Sequence, residues 1–463
     1  MNCAIETTDL STLEKQDTAN TGGISIDMAK MKAAFHTLGC KTNQYETDAI
    51  RMQFKEAGFD LVPFTEEADV YLINTCVVTT EAERKSRQFL RRARQMNQDA
   101  LVVAIGCQVV LGGAEPYADL LIDNDHKSET CQIVLSFLSE RRNLPHQEND
   151  SAVFCEKPTY DELGSVAQQT DHRAYIKIED GCNQFCSYCV VPLTRGRVRS
   201  RDRSQIIKEA CALAKVGYKE IVLTGIHLCS YGTDLGLPTH AVMELALELA
   251  GINGIERIRL GSLEPYGITD RFIELAMQNP RLCPHFHLSL QSGSDRVLAL
   301  MNRDYRKEDY RALVSSFRQA FDDPGITTDI IVGFPGETET DFAESLDFCR
   351  EIAFSRIHIF RYSARSGTAA ARMTDVVPDK EKTRRSRQMK ELALTLSRRY
   401  HERQVGRVHA VLVEQQKEDG LYRGYTPNYV PVLFSSNQQP ASGTIVPVIG
   451  LRAEDEFLLG TQT

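Results

Sequence analysis

Short apolar strands alternate with helical segments through most of this 463-residue chain. Between residues 173 and 395 we recognise six such strands, separated by helical patterns such as those at 204–216 and 341–352. The strands are YIKIED, EIVLTGI, RIRLGS, HFHLSLQ, ITTDIIVGF and RIHIFRY. Because strands that alternate with helices form parallel sheets, we predict an α/β protein with a central partial (β/α)6 barrel, residues 173–399. The chemistry of such a barrel belongs at the C-terminal ends of its strands.

The flanking regions predict two smaller domains. Residues 31–145 repeat the strand–helix alternation with AAFHTLG, DVYLINT and ALVVAIG, which predicts an N-terminal parallel-sheet domain. Residues 400–463 contain short strands around a loop rich in aromatic residues, which predicts a small β-barrel. We interpret residues 1–30 as a disordered tail. Residues 146–172 carry six acidic residues against one lysine, and we interpret them as an exposed linker.

Composition narrows the class of protein. No apolar run approaches the roughly 20 residues that span a bilayer, and the first residues lack the basic-then-apolar order of a secretory signal. We therefore expect a cytoplasmic protein without membrane contact, whose 13 cysteines stay reduced. We also expect a monomer. The net charge of −9 argues mildly against a nucleic-acid partner, although the charge is distributed unevenly.

Three cysteines lie in the segment GCNQFCSYC, directly after the first strand of the central domain. This position puts Cys182, Cys186 and Cys189 on the first strand–helix loop, at the reactive end of the barrel. A structural zinc site would need a fourth ligand, and the nearest spare histidine, His172, precedes the strand. A [4Fe-4S] cluster held by three thiolates instead keeps one iron open for another ligand. Zinc and buried free thiols are the alternatives.

A second group of cysteines is dispersed in sequence. Cys40, Cys76 and Cys107 each follow a strand immediately, in TLG-C, INT-C and AIG-C. The carboxyl ends of parallel strands meet at one edge of a sheet, where ligands gather. We therefore expect these three thiols to converge on a second [4Fe-4S] cluster; three unrelated small residues at tight turns are the alternative.

These motifs resemble a known family. The spacing C-x3-C-x2-C, with Tyr188 before its last cysteine, resembles the radical S-adenosylmethionine superfamily. Over about residues 32–435 the chain is similar to the methylthiotransferase branch of that superfamily, and GYTPNY (424–429) is similar to a TRAM RNA-binding domain. The stretches that carry this similarity are TLGCKTNQYET, EDGCNQFCSYCVVPLTRGRVRSR, TGIHLCSYG, RIRLGSLEP, HFHLSLQSGS and TTDIIVGFPGETE.

The resemblance implies an activity. Enzymes of this branch add a methylthio group to C2 of a modified adenosine beside the anticodon, and TLGCKTNQYET is most similar to those that act on N6-threonylcarbamoyladenosine at position 37 of tRNA. The 182–189 loop would then bind the cluster that cleaves S-adenosylmethionine, and the dispersed cysteines an auxiliary cluster that carries the sulfur. Since C2 of adenine has no acidic proton, a radical cofactor must activate it. The implied partners are tRNA and an electron donor such as flavodoxin or ferredoxin.

Other targets remain open at this stage. The same chemistry could act on isopentenyladenosine in tRNA or on a ribosomal protein. A rival from another class is a non-catalytic iron–sulfur protein that binds RNA.

Residues at the ends of other strands are candidate contacts for S-adenosylmethionine. By resemblance, the TGIH turn meets its methionine amine and GFPGE its adenosine, while Ser289 and Gln291 face the same mouth if alternation holds. A structural role is the alternative for His227, and a tight turn with Thr338 capping the next helix is the alternative for GFPGE. The candidates are Tyr188, Thr224, Gly225, His227, Ser289, Gln291, Gly333 and Gly336.

Basic segments predict a path for tRNA. RGRVRSRDR (195–203) has an arginine at every second position, so an extended strand would project them from one face toward phosphates. Further basic runs occupy 84–94 and 380–403. Tyrosines of the C-terminal domain would stack on unpaired bases. For each basic segment, the alternative to RNA binding is a solvated surface; for each tyrosine, it is packing in the core or on the surface. The predicted RNA contacts are Arg195, Arg197, Arg199, Arg201, Arg384, Arg385 and Tyr425.

Overall fold

The computed structural model describes residues 31–141, 159–166 and 169–463. Its N-terminal unit is a five-stranded parallel sheet in the order β2-β1-β3-β4-β5. The elements are β1 (Lys32–Thr37), α1 (Lys41–Glu56), β2 (Asp60–Val62), β3 (Val70–Thr75), α2 (Thr80–Met96), β4 (Leu101–Gly106), α3 (Cys107–Leu111), β5 (Leu120–Ile122) and α4 (Thr130–Arg141). The predicted N-terminal parallel sheet is therefore confirmed.

Both faces of this sheet are covered. The strands β3 and β4 are buried along their whole length, as expected for central strands between two helical layers. Residues of α1 such as Phe54 pack on one face, and residues of α2 such as Leu90 pack on the other. The first of these cores also contains Tyr175 and Val222 of the central unit, so the two units share apolar contacts.

The central unit is a partial barrel of parallel strands. Its sheets are β10-β9-β6 and β11-β12-β13-β14, and β10 and β11 are separated by Gly261 alone. The elements are β6 (Ala174–Lys177), β7 (Glu179–Asp180), α5 (Val191–Thr194), β8 (Arg199–Ser200), α6 (Arg203–Val216), β9 (Glu220–Thr224), α7 (Ala241–Ala250), β10 (Arg257–Leu260), β11 (Ser262–Leu263), α8 (Asp270–Ala276), β12 (His285–Leu288), α9 (Asp295–Leu300), α10 (Lys307–Ala320), β13 (Gly325–Val332), α11 (Glu339–Ile352), β14 (Arg356–Arg361) and α12 (Asp379–Glu402). With β10 and β11 counted as one interrupted strand, this is the predicted (β/α)6 arrangement.

The C-terminal unit is a closed five-stranded barrel in the order β15-β16-β17-β19-β18, as predicted. Its strands are β15 (Val408–Gln416), β16 (Tyr422–Tyr425), β17 (Pro431–Ser435), β18 (Ile445–Ala453) and β19 (Leu458–Gln462). The helix α12 runs directly into this unit, because Tyr400 near its C-terminus belongs to the core of the small barrel.

The predicted tail, 1–30, lies outside the described residues, as do 142–158. The described part of the predicted linker is partly exposed and partly packed. Leu163 and Val166 are buried in the core shared by the N-terminal and central units. Asp161 is buried as well, and it accepts a hydrogen bond from the Ser128 backbone (2.9 Å). Among the described helices, none is both long enough and apolar enough to cross a membrane.

Candidate active site between two cysteine triads

The first cysteine triad, Cys182, Cys186 and Cys189, lies on the loop after β7. A side chain on Gly181 would collide with the Arg197 carbonyl, and φ at this glycine is +82°, so the tight turn requires glycine. Backbone N–H groups of Gln184 and Val191 lie 3.4 Å from the sulfurs of Cys182 and Cys189. Donors of this kind stabilise charge on cluster-bound sulfur.

A buried arginine completes the surroundings of this loop. Arg303 Nη1 lies 3.3 Å from the Cys186 sulfur, and its Nη2 forms an ion pair with Glu264 and donates to the Ser289 carbonyl (2.9 Å). Burial raises the pKa of the Cys182 and Cys189 thiols to about 12. These groups therefore ionise only when a metal takes the place of the proton.

The second triad lies at the edge of the N-terminal sheet. Cys40, Cys76 and Cys107 follow the adjacent strands β1, β3 and β4. Gly39 and Gly106, each just before a cysteine, share a φ of +98°, and a Cβ on Gly39 would lie 2.8 Å from the Cys76 sulfur. The close approach of the strand ends thus depends on glycine. Burial raises the pKa of Cys76 to about 11, with further contributions from Cys107 and Cys40.

The two triads face each other. Val190, next to Cys189, packs against Cys107 and against Val77, which is next to Cys76. Asn124 Nδ2 lies 3.6 Å from the Cys107 sulfur and donates to the Thr194 carbonyl at 2.7 Å. A mainly apolar cavity of about 180 Å³ lies beside this contact, and its lining residues are Val78, Thr79, Tyr188, Cys189, Val190, Val191, Gln291, Asp329, Ile331, Phe360, Arg361, Tyr362 and Ser363.

The donor sets fit iron–sulfur clusters. Within the described residues, no three His, Cys, Asp or Glu side chains converge on a position for a single ion. The thiolates of a cubane cluster each bind a different iron, so their sulfurs stand farther apart than the ligands of one ion. Three thiols in each triad, with N–H and guanidinium donors directed at sulfur in the first, suit that arrangement.

A buried ion-pair network joins the two triads. Glu46 lies on α1, just after Cys40, and accepts from Lys177 and Arg195 at 2.8 Å each, while Lys127 also contacts it. Asp180, two residues before Cys182, accepts from Lys177 (2.6 Å) and Arg195 (3.0 Å). Burial alone would raise the pKa of both carboxyls, but Arg195 and the lysines outweigh it and hold each pKa well below its usual range.

The prediction that Arg195, Arg199 and Arg201 bind RNA is wrong. All three side chains are buried. Arg199 pairs with Asp125, and Arg201 pairs with both Glu209 and Glu162. The expected extended strand is reduced to the two residues of β8, so alternation does not place these arginines on an open face. Arg197 is exposed and lies over the Phe185 ring, 4.8 Å from its centroid.

Two more predicted RNA contacts are buried, and those predictions are also wrong. Arg385 pairs with Glu337 at 2.7 Å, and its neighbour Arg384 is half-buried beside Glu339. Tyr425 is 6% exposed and stacks on Tyr429, with a distance of 4.8 Å between ring centroids. Tyr425 thus serves the contact between the C-terminal barrel and the central unit, because Arg173 lies 4.9 Å from its ring.

The predicted cofactor contacts around β9 lie near the first triad. Thr224 ends β9, and a side chain on Gly225 would collide with the Glu179 carboxylate. The His227 ring is held by Ser230 (2.5 Å) and by Tyr266, so the structural role is present. Burial lowers the pKa of His227 to about 4, so the ring is neutral.

The remaining candidates lie around β12 and β13. Gln291 adopts a φ of +69° and lines the cavity beside the triads, as Tyr188 does, and Ser289 is buried. Gly333 (φ +73°) and Gly336 (φ +80°) shape the turn before α11. The Thr338 hydroxyl caps that helix by accepting from the Asp341 backbone at 3.2 Å, so the structural role of GFPGE is present.

Sequence reasoning missed Arg303, Glu264 and the Glu46 network. Arg303 is 117 residues from Cys186, and no local pattern marks it. A signal for the network did exist, since Asn43 and Glu46 are polar residues three apart on α1, one helical turn, directly after a strand-end cysteine.

Comparison with known proteins places these features in a family. The Radical SAM superfamily model matches residues 176–349, and the model of uncharacterized protein family UPF0004 matches residues 32–119. The threonylcarbamoyladenosine tRNA methylthiotransferase MtaB of Bacillus subtilis is 38% identical over 428 residues, covering 91% of this chain and 94% of that protein. MtaB of Aquifex aeolicus is 39% identical over 407 residues, 87% of this chain and 96% of that protein.

Two further comparisons complete the picture. The tRNA-2-methylthio-N(6)-dimethylallyladenosine synthase of Acetivibrio thermocellus is 33% identical over 414 residues, 87% of this chain and 85% of that protein. Among solved structures, the radical S-adenosylmethionine methyltransferase TsrM from Kitasatospora setae, with cobalamin and a [4Fe-4S] cluster bound, shares the fold with a TM-score of 0.55 at 14% identity, over 74% of this chain and 77% of that one. This chain belongs to the radical S-adenosylmethionine tRNA methylthiotransferases, which use S-adenosylmethionine and [4Fe-4S] clusters.

Proposed function

We propose that this enzyme adds a methylthio group to C2 of N6-threonylcarbamoyladenosine at position 37 of tRNA. The observation that carries the proposal is the pair of cysteine triads that face each other beside an apolar cavity. The substrate assignment is supported by relatives named threonylcarbamoyladenosine tRNA methylthiotransferase at 37–39% identity. Relatives named for dimethylallyladenosine are 33–34% identical, which makes that nucleoside the second candidate.

Each triad has a proposed task. Cys182, Cys186 and Cys189 would hold the cluster that binds S-adenosylmethionine, and Cys40, Cys76 and Cys107 the auxiliary cluster. S-adenosylmethionine bound there would supply the radical chemistry that the unactivated C2–H bond requires.

The protein itself positions and shields the reacting groups. Arg303 places positive charge beside the Cys186 sulfur, and its pairing with Glu264 fixes the guanidinium there. The apolar lining around Tyr188, Val190 and Ile331 keeps water away from the reacting atoms. The Glu46 network holds α1 against the 182–189 loop, and so sets the separation of the two triads.

A basic groove offers a route for tRNA in place of the buried arginines. It has a volume of about 730 Å³, lies between α12, β14 and the C-terminal barrel, and touches neither triad. Basic side chains outnumber acidic ones among the residues that line it, and they include Arg356, Lys390, Lys417 and Arg423. Such a surface attracts the phosphate backbone. We also propose that the enzyme acts in the cytoplasm as a monomer, with flavodoxin or ferredoxin as electron donor.

The substrate proposal is tested with enzyme reconstituted anaerobically with iron and sulfide. Reduced enzyme and S-adenosylmethionine are incubated with tRNA that carries either threonylcarbamoyladenosine or isopentenyladenosine, and the nucleosides are analysed by mass spectrometry. We expect the methylthio product from the first tRNA. A product from the isopentenyl tRNA alone would overturn the substrate proposal, and iron well below about eight atoms per chain would overturn the two-cluster proposal.

A further inference from the structure

A second cavity, of about 280 Å³, lies where all three units of the protein meet. Lys41 reaches it from α1, Tyr429 reaches it from the C-terminal barrel, and the central unit supplies the other lining residues. Most of its polar lining is basic: Lys41, Arg173, Arg259, Arg356, His285, His287 and His358. Among the described residues that line it, Asp329 is the single acidic side chain.

Several polar atoms in this lining have no partner. The Arg356 side chain makes no ion pair or hydrogen bond within the part of the chain that the structure describes, whereas Arg259 is paired with Glu220 at 2.7 Å. The atoms Arg173 Nε and His285 Nδ1 are buried without a hydrogen-bond partner among the described residues. Buried polar atoms are nearly always satisfied in native proteins, so the unpaired Arg173 Nε and His285 Nδ1 indicate that the cavity receives a polar ligand. Arg356 lines the same cavity but is exposed, so its guanidinium is free to meet that ligand.

The charge of the lining favours an anion. Burial lowers the pKa of His358 to about 4, so that this ring is neutral. Lys41, Arg173 and Arg259 are already paired with Asp171, Glu414 and Glu220, so Arg356 is the lining cation left, among the described residues, for an added anion. Asp329 is held by His287, with 3.3 Å between Oδ2 and Nε2, and its carboxylate is thereby partly compensated. Arginine binds carboxylates through two parallel hydrogen bonds, which makes Arg356 a suitable partner for one.

This cavity adjoins the candidate active site. Asp329 lines both the 280 Å³ cavity and the cavity beside the cysteine triads. The 280 Å³ cavity also shares Thr327, Arg356, His358 and Tyr429 with the basic groove. A base with its C2 edge toward the triads carries its N6 substituent on another edge of the ring, so the adjoining cavity is available to that substituent.

We propose that the 280 Å³ cavity binds the carboxylate of the threonylcarbamoyl group, with Arg356 as its main ion-pair partner, and thereby selects the substrate. This inference rests on the proposed function. A hydrocarbon substituent such as isopentenyl would desolvate these polar groups without pairing them, which is the strongest form of discrimination available to a binding site.

The test uses two anticodon stem–loop RNAs and the reconstituted enzyme. One RNA carries threonylcarbamoyladenosine, and the other carries the same group with its carboxyl converted to a primary amide. Binding is measured by fluorescence anisotropy without reductant, and KM and kcat for methylthiolation are measured separately. We expect the acid to bind about tenfold more tightly than the amide, as one charge-assisted pair allows. In Arg356→Gln this preference should fall to about twofold or less, and Arg356→Lys should restore part of it.

Lys208→Gln is the matched control, because it also removes one positive charge, but from an exposed position on α6. It should leave the acid-to-amide ratio unchanged. Equal binding of both RNAs by the unaltered enzyme, or equal weakening of both by Arg356→Gln, would overturn the inference. The proposed function fails separately: an enzyme that prefers the acid in binding but methylthiolates only isopentenyl RNA would retain the carboxylate site and lose the substrate assignment.

Discussion

The two cysteine triads reach facing positions by opposite routes. Cys182, Cys186 and Cys189 lie within one loop, whose shape depends on Gly181 and on backbone hydrogen bonds. Cys40, Cys76 and Cys107 come from three strands, and they meet only because β1, β3 and β4 are neighbours in the sheet. A local site depends mainly on its turn, whereas a dispersed site depends on the register of a whole sheet. The two sites should therefore respond differently to the same kind of change.

The largest difference should appear when one cysteine is removed from each triad. In the proposed assignment, Cys182→Ala removes a ligand of the cluster that cleaves S-adenosylmethionine, so cleavage should be abolished. In the same assignment, Cys76→Ala removes a ligand of the auxiliary cluster, so some cleavage should remain while methylthiolation is lost. Both variants should fall from about eight to about four irons per chain. Iron content, deoxyadenosine formation and product nucleosides are the measurements, and equal loss of both activities in both variants would contradict the division of roles.

A change in the network between the triads should affect both sites at once. Glu46→Gln would leave Lys127, Lys177 and Arg195 buried with less negative charge, and we expect the free energy of unfolding to fall by about 3–5 kcal/mol. Denaturant titration measures this change. Glu81→Gln alters an exposed pair with Arg84 and should leave the free energy of unfolding close to that of the unaltered protein. A similar change in the free energy of unfolding in the two variants would show that the Glu46 network does not provide this stability.

A glycine substitution tests the dispersed triad alone. Gly39→Ala would place a Cβ 2.8 Å from the Cys76 sulfur at a φ of +98°, so the auxiliary cluster should be lost while the other is retained. Gly217→Ala is the matched control, because its φ is +107° but nothing lies within 4 Å of the added Cβ. Backbone strain of about 1–3 kcal/mol is common to both variants. A loss of iron in both would assign the effect to strain and not to crowding at the sulfur.

The smallest expected effect is a pH dependence in the N-terminal unit. Burial, with Arg92 nearby, lowers the pKa of His36 from 6.5 to about 4, and its ring stacks on Phe89 with centroids 3.5 Å apart. The unfolded chain therefore binds a proton more readily than the folded one, so this residue costs stability as the pH falls from 6.5 toward 4. His36→Phe keeps the stacking and should reduce the dependence of the urea midpoint on pH across that range. An unchanged pH profile would contradict this assignment.

The strands, and the positions of the six cysteines on strand-end loops, could be predicted from sequence, because strand periodicity and strand-end position are local properties. The burial of Arg195, Arg199 and Arg201 could not be predicted in this way. Arg195 pairs with Glu46 across 149 residues and Arg201 contacts Tyr45 across 156, and no local pattern reveals such partners. Arginines at alternate positions predict an exposed face only when no buried carboxylate elsewhere in the fold is available to pair with them. In the same way, the acidic composition of residues 146–172 obscured the two apolar side chains, Leu163 and Val166, that anchor the described part to the core.

The Glu46 network also determines how far the protein can be divided. A separately produced N-terminal unit would keep the contact of Glu46 with Lys127 but lose Lys177 and Arg195. It would also expose to water the apolar face that Tyr175 and Val222 cover. The N-terminal unit is therefore not an independent module that could be exchanged between enzymes. Any recombination of such units must include both sides of this contact.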